Sequence, residues 1–194
     1  MAKKEQLFEM SELSIRQMVG NGRLKTELDF ERAVLAERFL QLLIEDQPEL
    51  EPLRKEVRSM IMDYESIQWS KDVVSEAQIA ESDLAEAQAD TEFRFFISRR
   101  ELILSKLKSH DLRQNDLANI LAHSKSYTSE LLNGIRAFST KDLIVVHKLL
   151  DIKLEDLFFT EIPLEVKERI KSTLDKIPER KNKLQPQTLE MAPK

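Results

Sequence analysis

Between Ser98 and Phe159 the apolar pattern breaks into five short helical pieces, and no other stretch leaves the chain so few ways to fold. The first piece carries Ile103 and Leu107. The second, from about Arg113, carries Leu117, Ile120 and Leu121. The third runs from Ser124 to Leu132 with Thr128 and Leu131 inward, and the fourth is opened by Ser139 and carries Leu143, Val146 and Leu150. A short fifth holds Leu154, Leu157 and Phe158. Connections of about two to five residues force such pieces into a compact orthogonal bundle, because a long coiled coil needs uninterrupted helices. Only three glycines and six prolines occur in 194 residues, against abundant Leu, Glu, Lys, Ala and Arg. The expected fold class is therefore all-α.

Upstream, Leu13, Ile15, Met18 and Val19 suggest a short helix that stops at Gly20-Asn21-Gly22. A stronger amphipathic stretch follows with Leu35, Phe39, Leu42 and Leu43 on one face, ending near Asp46-Gln47-Pro48. Leu53, Val57, Met60, Ile61 and Tyr64 then form one helical stripe. Two such helices joined by a short Pro-containing loop predict an antiparallel hairpin. Residues 71–92 read as a helix with a thin apolar seam of Val73, Val74, Ala77, Ala80 and Leu84, a connector or a dimer contact. Phe93, Phe95, Phe96 and Ile97 mark the start of the next compact unit, and Ser98 with Glu101 forms a capping box that should begin its first helix. Beyond Phe159, Val166, Ile170, Leu174 and Ile177 suggest one more helix starting near Pro163, followed by a polar tail from Pro178 to Lys194 expected to be disordered. The expected organisation is an N-terminal helical hairpin region over 1–70, a connector over 71–97, a five-helix bundle over 98–160, and a C-terminal helix and tail over 161–194.

Charge separates along the chain. The overall balance is −5, which alone argues against a nucleic-acid partner. Residues 99–194 nevertheless hold 18 Lys and Arg against 14 Asp and Glu, whereas residues 1–98 hold 12 against 21. A basic half joined to an acidic half fits a DNA reader carrying a protein-binding or dimerising module, or two merely solvated surfaces. Absence of cysteine excludes disulfides, thiolate zinc sites and a cysteine nucleophile. No apolar run approaches the length that spans a bilayer, and the first residues do not read as a secretory signal, so a cytoplasmic location without membrane contact is expected. There is no nucleophile elbow, no phosphate-cradling glycine loop and no paired histidines at metal spacing. His110, His123 and His147 are scattered, without carboxylate or thiolate company. No enzyme activity, cofactor or metal is expected.

The stretch Leu112 to Leu121 followed by Ser124 to Gly134 resembles the helix-turn-helix of the Cro and phage-repressor superfamily. In that family a glutamine opens helix two, an alanine lies mid-helix, and an L-x-N-G segment ends helix three. Gln114, Ala118 and Leu131 to Gly134 stand at those places. Ala118 is small where helix three crosses closely, and Gly134 follows Asn133 where the chain must leave the helix left-handed. The resemblance covers about 60 of the 194 residues. It implies that helix three lies in the major groove of double-stranded operator DNA. Gln114, Lys125, Ser126 and Glu130 are the implied base readers, a lysine suiting guanine and a glutamine adenine. Glu130 is equally suited to an ion pair with Lys125 or Arg136. Arg113, Tyr127, Ser129, Asn133 and Arg136 are the implied phosphate contacts. The chain departs from the family at His123 and Asp111, where glycine is frequent; both types tolerate positive φ. Thr128 also replaces a usual aliphatic residue.

A second resemblance lies upstream. Thr26-Glu27, Phe30-Glu31-Arg32-Ala33, a Leu-rich helix, an acidic Pro-containing loop and Leu53 to Tyr64-Glu65 are similar to the HigA group of antitoxins. That similarity implies a homodimer that represses its own operon and neutralises a protein toxin encoded beside it. The 71–92 segment and the C-terminal extension are longer than the usual pattern. The alternatives are a solitary phage-type or stress-response regulator without a toxin, and a protein-binding adaptor whose helix-turn-helix only packs.

Overall fold

The computed structural model describes residues 14–68, 75–162 and 164–176. Among the described residues it is all-helical, with eight α-helices, two 3-10 turns and no strand. None of these helices is long and apolar enough to cross a membrane. The chain forms two compact units, Met1–Leu157 and Phe158–Lys194.

Capping chemistry places most helix starts. Ser14, Thr26, Ser75 and Ser139 each accept an N–H three residues on, and the side chain there bonds back to the cap. These caps open α1 (Ile15–Gly20), α2 (Glu27–Leu43), α4 (Glu76–Ser109) and α7 (Thr140–Leu150). A 3-10 turn at Pro48–Leu50 leads into α3 (Glu51–Gln68). Between α4 and α7 lie two short helices, α5 (Gln114–Leu121) and α6 (Lys125–Leu132).

α2 lies between two neighbours. α3 runs back along it, with Phe30 stacked on Tyr64 at 5.1 Å and Arg54 bonded to Glu37 at 2.7 Å. α4 runs in the same direction as α2, as Ser82 meets Glu27, Arg32 meets Glu92 and Phe39 meets Phe93. The buried residues of α2 are Ala33, Ala36 and Leu40, which corrects the expected face. Leu42 is 72 % exposed, while Leu35, Phe39 and Leu43 are half-buried. Small alanines let two helices approach one side of α2, a burial that a search for large apolar side chains overlooks. On α3, Leu53, Val57 and Met60 are buried and Ile61 and Tyr64 half-buried, as their spacing predicts.

α4 corrects two further expectations. It is one continuous helix of 34 residues, so the Ser98–Glu101 pair lies inside it and Ser75 caps it instead. Ala77, Ala80 and Leu84 are exposed, and Val73 and Val74 lie outside the described residues. The buried stripe is Ala85, Ala89, Glu92, Arg99, Ile103 and Leu107. The Phe93–Ile97 cluster ties parts of one unit together. Arg99, only 3 % exposed, has the rings of Phe95, Phe96 and Phe138 at 5.2 to 5.4 Å and donates to the Leu157 carbonyl. α1 is attached as well, since the Ile15 and Arg16 N–H groups donate to the Gly134 and Ile135 carbonyls. Positions 70 and 97 both fall inside the first unit: the Arg32–Glu92 and Phe39–Phe93 contacts cross 70, and the bonds of Ile15 and Arg16 to Gly134 and Ile135 cross 97.

The fifth expected piece is a single 3-10 turn, Leu154–Asp156. In the second unit, α8 (Leu164–Asp175) has Val166, Ile170 and Leu174 half-buried. Leu13, Pro163, Ile177 and the tail 178–194 lie outside the described residues.

Candidate nucleic-acid interface

α5 and α6 form the candidate site from local rules. On α5, Leu117, Ala118 and Leu121 are buried, so its opening residues are left at the surface. The Asp116 carboxylate accepts the Arg113 N–H at 2.8 Å and fixes the first turn. The helix ends as the His123 N–H donates to the Ala118 carbonyl at 2.9 Å. That exit puts Ala122 at φ 57, so Ala122 takes the strained position expected at His123, while Asp111 is left-handed as expected. Ser124 then caps α6 by accepting the Tyr127 N–H at 3.1 Å.

Burial on α6 divides its residues into two sets. Thr128, Glu130, Leu131 and Leu132 are buried, whereas Lys125, Ser126 and Tyr127 are exposed. Arg113, Gln114, Asn115, Lys125, Ser126 and Ser129 together line one open cleft. Two successive helix N-termini face this region, and their unpaired N–H groups and dipoles favour an anionic partner. The Thr128 hydroxyl, fully buried, has no hydrogen-bond partner among the described residues, consistent with a position better suited to an aliphatic group.

Three implied contact residues are placed otherwise. Glu130 is only 8 % exposed. The Arg16 guanidinium donates to it through Nε and Nη2, both at 2.7 Å, and Arg136 donates through Nε at 2.5 Å. Its carboxylate is thus occupied internally and is not free to read a base. Burial pushes the Glu130 carboxyl up, but the Arg16 and Arg136 guanidiniums outweigh it and hold the group below the usual carboxylate range. The same bond raises the Arg16 guanidinium. Asn133 is 9 % exposed; its N–H donates to the Ser129 carbonyl at 3.0 Å and its side chain donates a long bond to the Ser129 hydroxyl at 3.4 Å, so it closes α6 from inside instead of meeting a phosphate. Arg136 is shared between Glu130 and the Tyr127 ring, 4.9 Å from its guanidinium carbon. Gly134 leaves α6 at φ 67 as its place in the motif requires; a Cβ there would meet Phe96 only at 4.0 Å, so conformation and not space selects glycine.

Sequence reasoning missed four neighbours. Arg16 lies 114 residues from Glu130, and no local pattern announces that pair. Gln47, in the turn between α2 and α3, accepts the Ser129 hydroxyl at 3.2 Å, and Glu49 lines the same cleft. His123 lies 3.3 Å from Asp142, so it does have carboxylate company. Among the described residues no group of three or more His, Asp or Glu side chains is placed to hold a metal.

Comparison with known proteins finds no matching family model, no matching curated protein and no matching solved structure.

Proposed function

We propose that this chain is a sequence-specific DNA-binding antitoxin that represses its own operon, acts as a homodimer and has no catalytic role of its own. The observation that carries the DNA half is the gathering of Arg113, Gln114, Lys125 and Ser126 on one accessible face at the N-termini of α5 and α6. In a helix-turn-helix, those N-terminal positions meet base edges and phosphates. Lys125, Ser126 and Gln114 are assigned to bases, and Arg113 and Ser129 to phosphates. Glu130 and Asn133 drop out of the contact set, and Arg136 acts mainly by holding Tyr127 and Glu130 in place.

The antitoxin half rests on the HigA resemblance. Its motif residues meet in space, with the Tyr64 hydroxyl donating to Glu27 at 3.0 Å beside the Phe30 ring. This packing supports a built hairpin with α3 outward on one side, where a protein partner could dock.

Co-expression with the neighbouring reading frame tests the antitoxin half. Co-purification, with growth arrest by the neighbour alone and rescue by this chain, is expected. Failure of both, with DNA binding retained, would leave the solitary-regulator alternative. The adaptor alternative is favoured by one observation, the acidic turn beside the cleft, and requires that Lys125→Ala leave nucleic-acid affinity unchanged.

A further inference from the structure

We propose that the turn between α2 and α3 is an autoinhibitory cap on the DNA-reading face, an inference that rests on the DNA-binding function proposed above. The turn carries Glu45, Asp46 and Glu49, all exposed. It also follows the C-terminus of a 17-residue helix with no basic residue in its last turn, so the negative pole of α2 is unneutralised there. Gln47, between these carboxylates, accepts the Ser129 hydroxyl of α6 at 3.2 Å. Gln47 and Glu49 form one wall of the cleft whose other wall is Arg113, Gln114, Lys125 and Ser126. Glu49 thus stands in the same cleft as the basic and helix-dipole groups that a phosphate strand would engage, with Glu45 and Asp46 exposed on the same turn.

Two consequences follow from the charges. An incoming duplex brings closely spaced phosphates, which the turn's carboxylates repel within about a Debye length of 8–10 Å at ordinary salt. The Ser129 hydroxyl, one of the assigned phosphate contacts, is already committed to Gln47. The turn has to leave the face before DNA seats fully. DNA affinity is therefore low at rest and rises when the turn is drawn away, so anything that grips the turn and DNA are positively coupled.

The test compares full-length proteins by fluorescence anisotropy on a duplex from immediately upstream of the gene, at low and ordinary salt. E45Q/D46N/E49Q should bind about tenfold tighter than wild type at ordinary salt, and Gln47→Ala should bind detectably tighter. A charge-matched control, E76Q/E81Q/E86Q, alters exposed carboxylates at the beginning of α4. It should gain far less. Equal gains in the two triple variants would reduce the effect to net charge and overturn the cap. Unchanged or weaker binding by E45Q/D46N/E49Q, with wild-type binding intact and thermal melting unchanged, would overturn it while leaving the DNA function standing. Binding by none of the proteins would remove the DNA function and the cap with it.

Discussion

Glu130 shows how one side chain on a candidate recognition helix comes to serve the fold. Its carboxylate lies between Arg16 of α1 and Arg136 beyond α6, so it fastens α1 to the end of that helix. Both arginines are 37 % exposed, which weakens the attraction by solvent screening. Glu130→Gln should cost about 1–2 kcal/mol at pH 7, toward the low end for hydrogen bonds to charged groups. Because the folded group titrates below its unfolded value, its contribution is fully present above the ordinary carboxylate pKa. It is lost as pH falls through the lowered folded value. Urea unfolding of both proteins across pH 7 to 3 should show the gap closing below about pH 4. A gap as wide at pH 3 as at pH 7 would contradict the charge argument. Ala122 gives a second residue-scale expectation. A left-handed Cβ costs about 1–2 kcal/mol, part of which glycine loses again to unfolded-chain entropy. Ala122→Gly should raise the urea midpoint by about 0.5–1 kcal/mol equivalent.

At the scale of elements, α4 separates local signals from tertiary ones. Ser98 and Glu101 satisfy a capping pattern, yet the turns before them already pack on α2 through Ala85, Ala89 and Glu92. Ser98→Ala should be neutral or stabilising by up to about 0.5 kcal/mol, since alanine is the better mid-helix residue. A loss of about 1 kcal/mol on thermal melting would mean that a helix does begin there. The same contrast explains what could be read before folding. The α3 stripe, the Ser124 and Ser139 caps and the Gly134 exit depend on neighbours within about four residues, and sequence shows such neighbours. The inner face of α2 depends on two partners arriving at Ala33, Ala36 and Leu40, so the larger Leu42 misled. At the candidate site, Arg113, Gln114, Lys125 and Ser126 were legible because they sit at helix starts. Arg16, Gln47 and Glu49 were not, because only tertiary packing brings them to α6.

At the scale of the whole molecule, the excess of acid in residues 1–98 acquires a position. Part of it lies in the turn that lines the candidate cleft, within the same compact unit as α5 and α6. The acidic half is therefore not a separate appendage whose charge a DNA duplex would escape. The decisive measurement is equilibrium binding of wild type, Lys125→Ala and Arg113→Ala to the upstream duplex and to a scrambled duplex, as a function of salt. Wild type should prefer the upstream duplex. Lys125→Ala should lose about 1–3 kcal/mol on that duplex with its preference relaxed. Arg113→Ala should weaken both duplexes alike and lower the salt slope by about one. Equal affinity of wild type for both duplexes, unchanged by Lys125→Ala, would contradict sequence-specific recognition by α6.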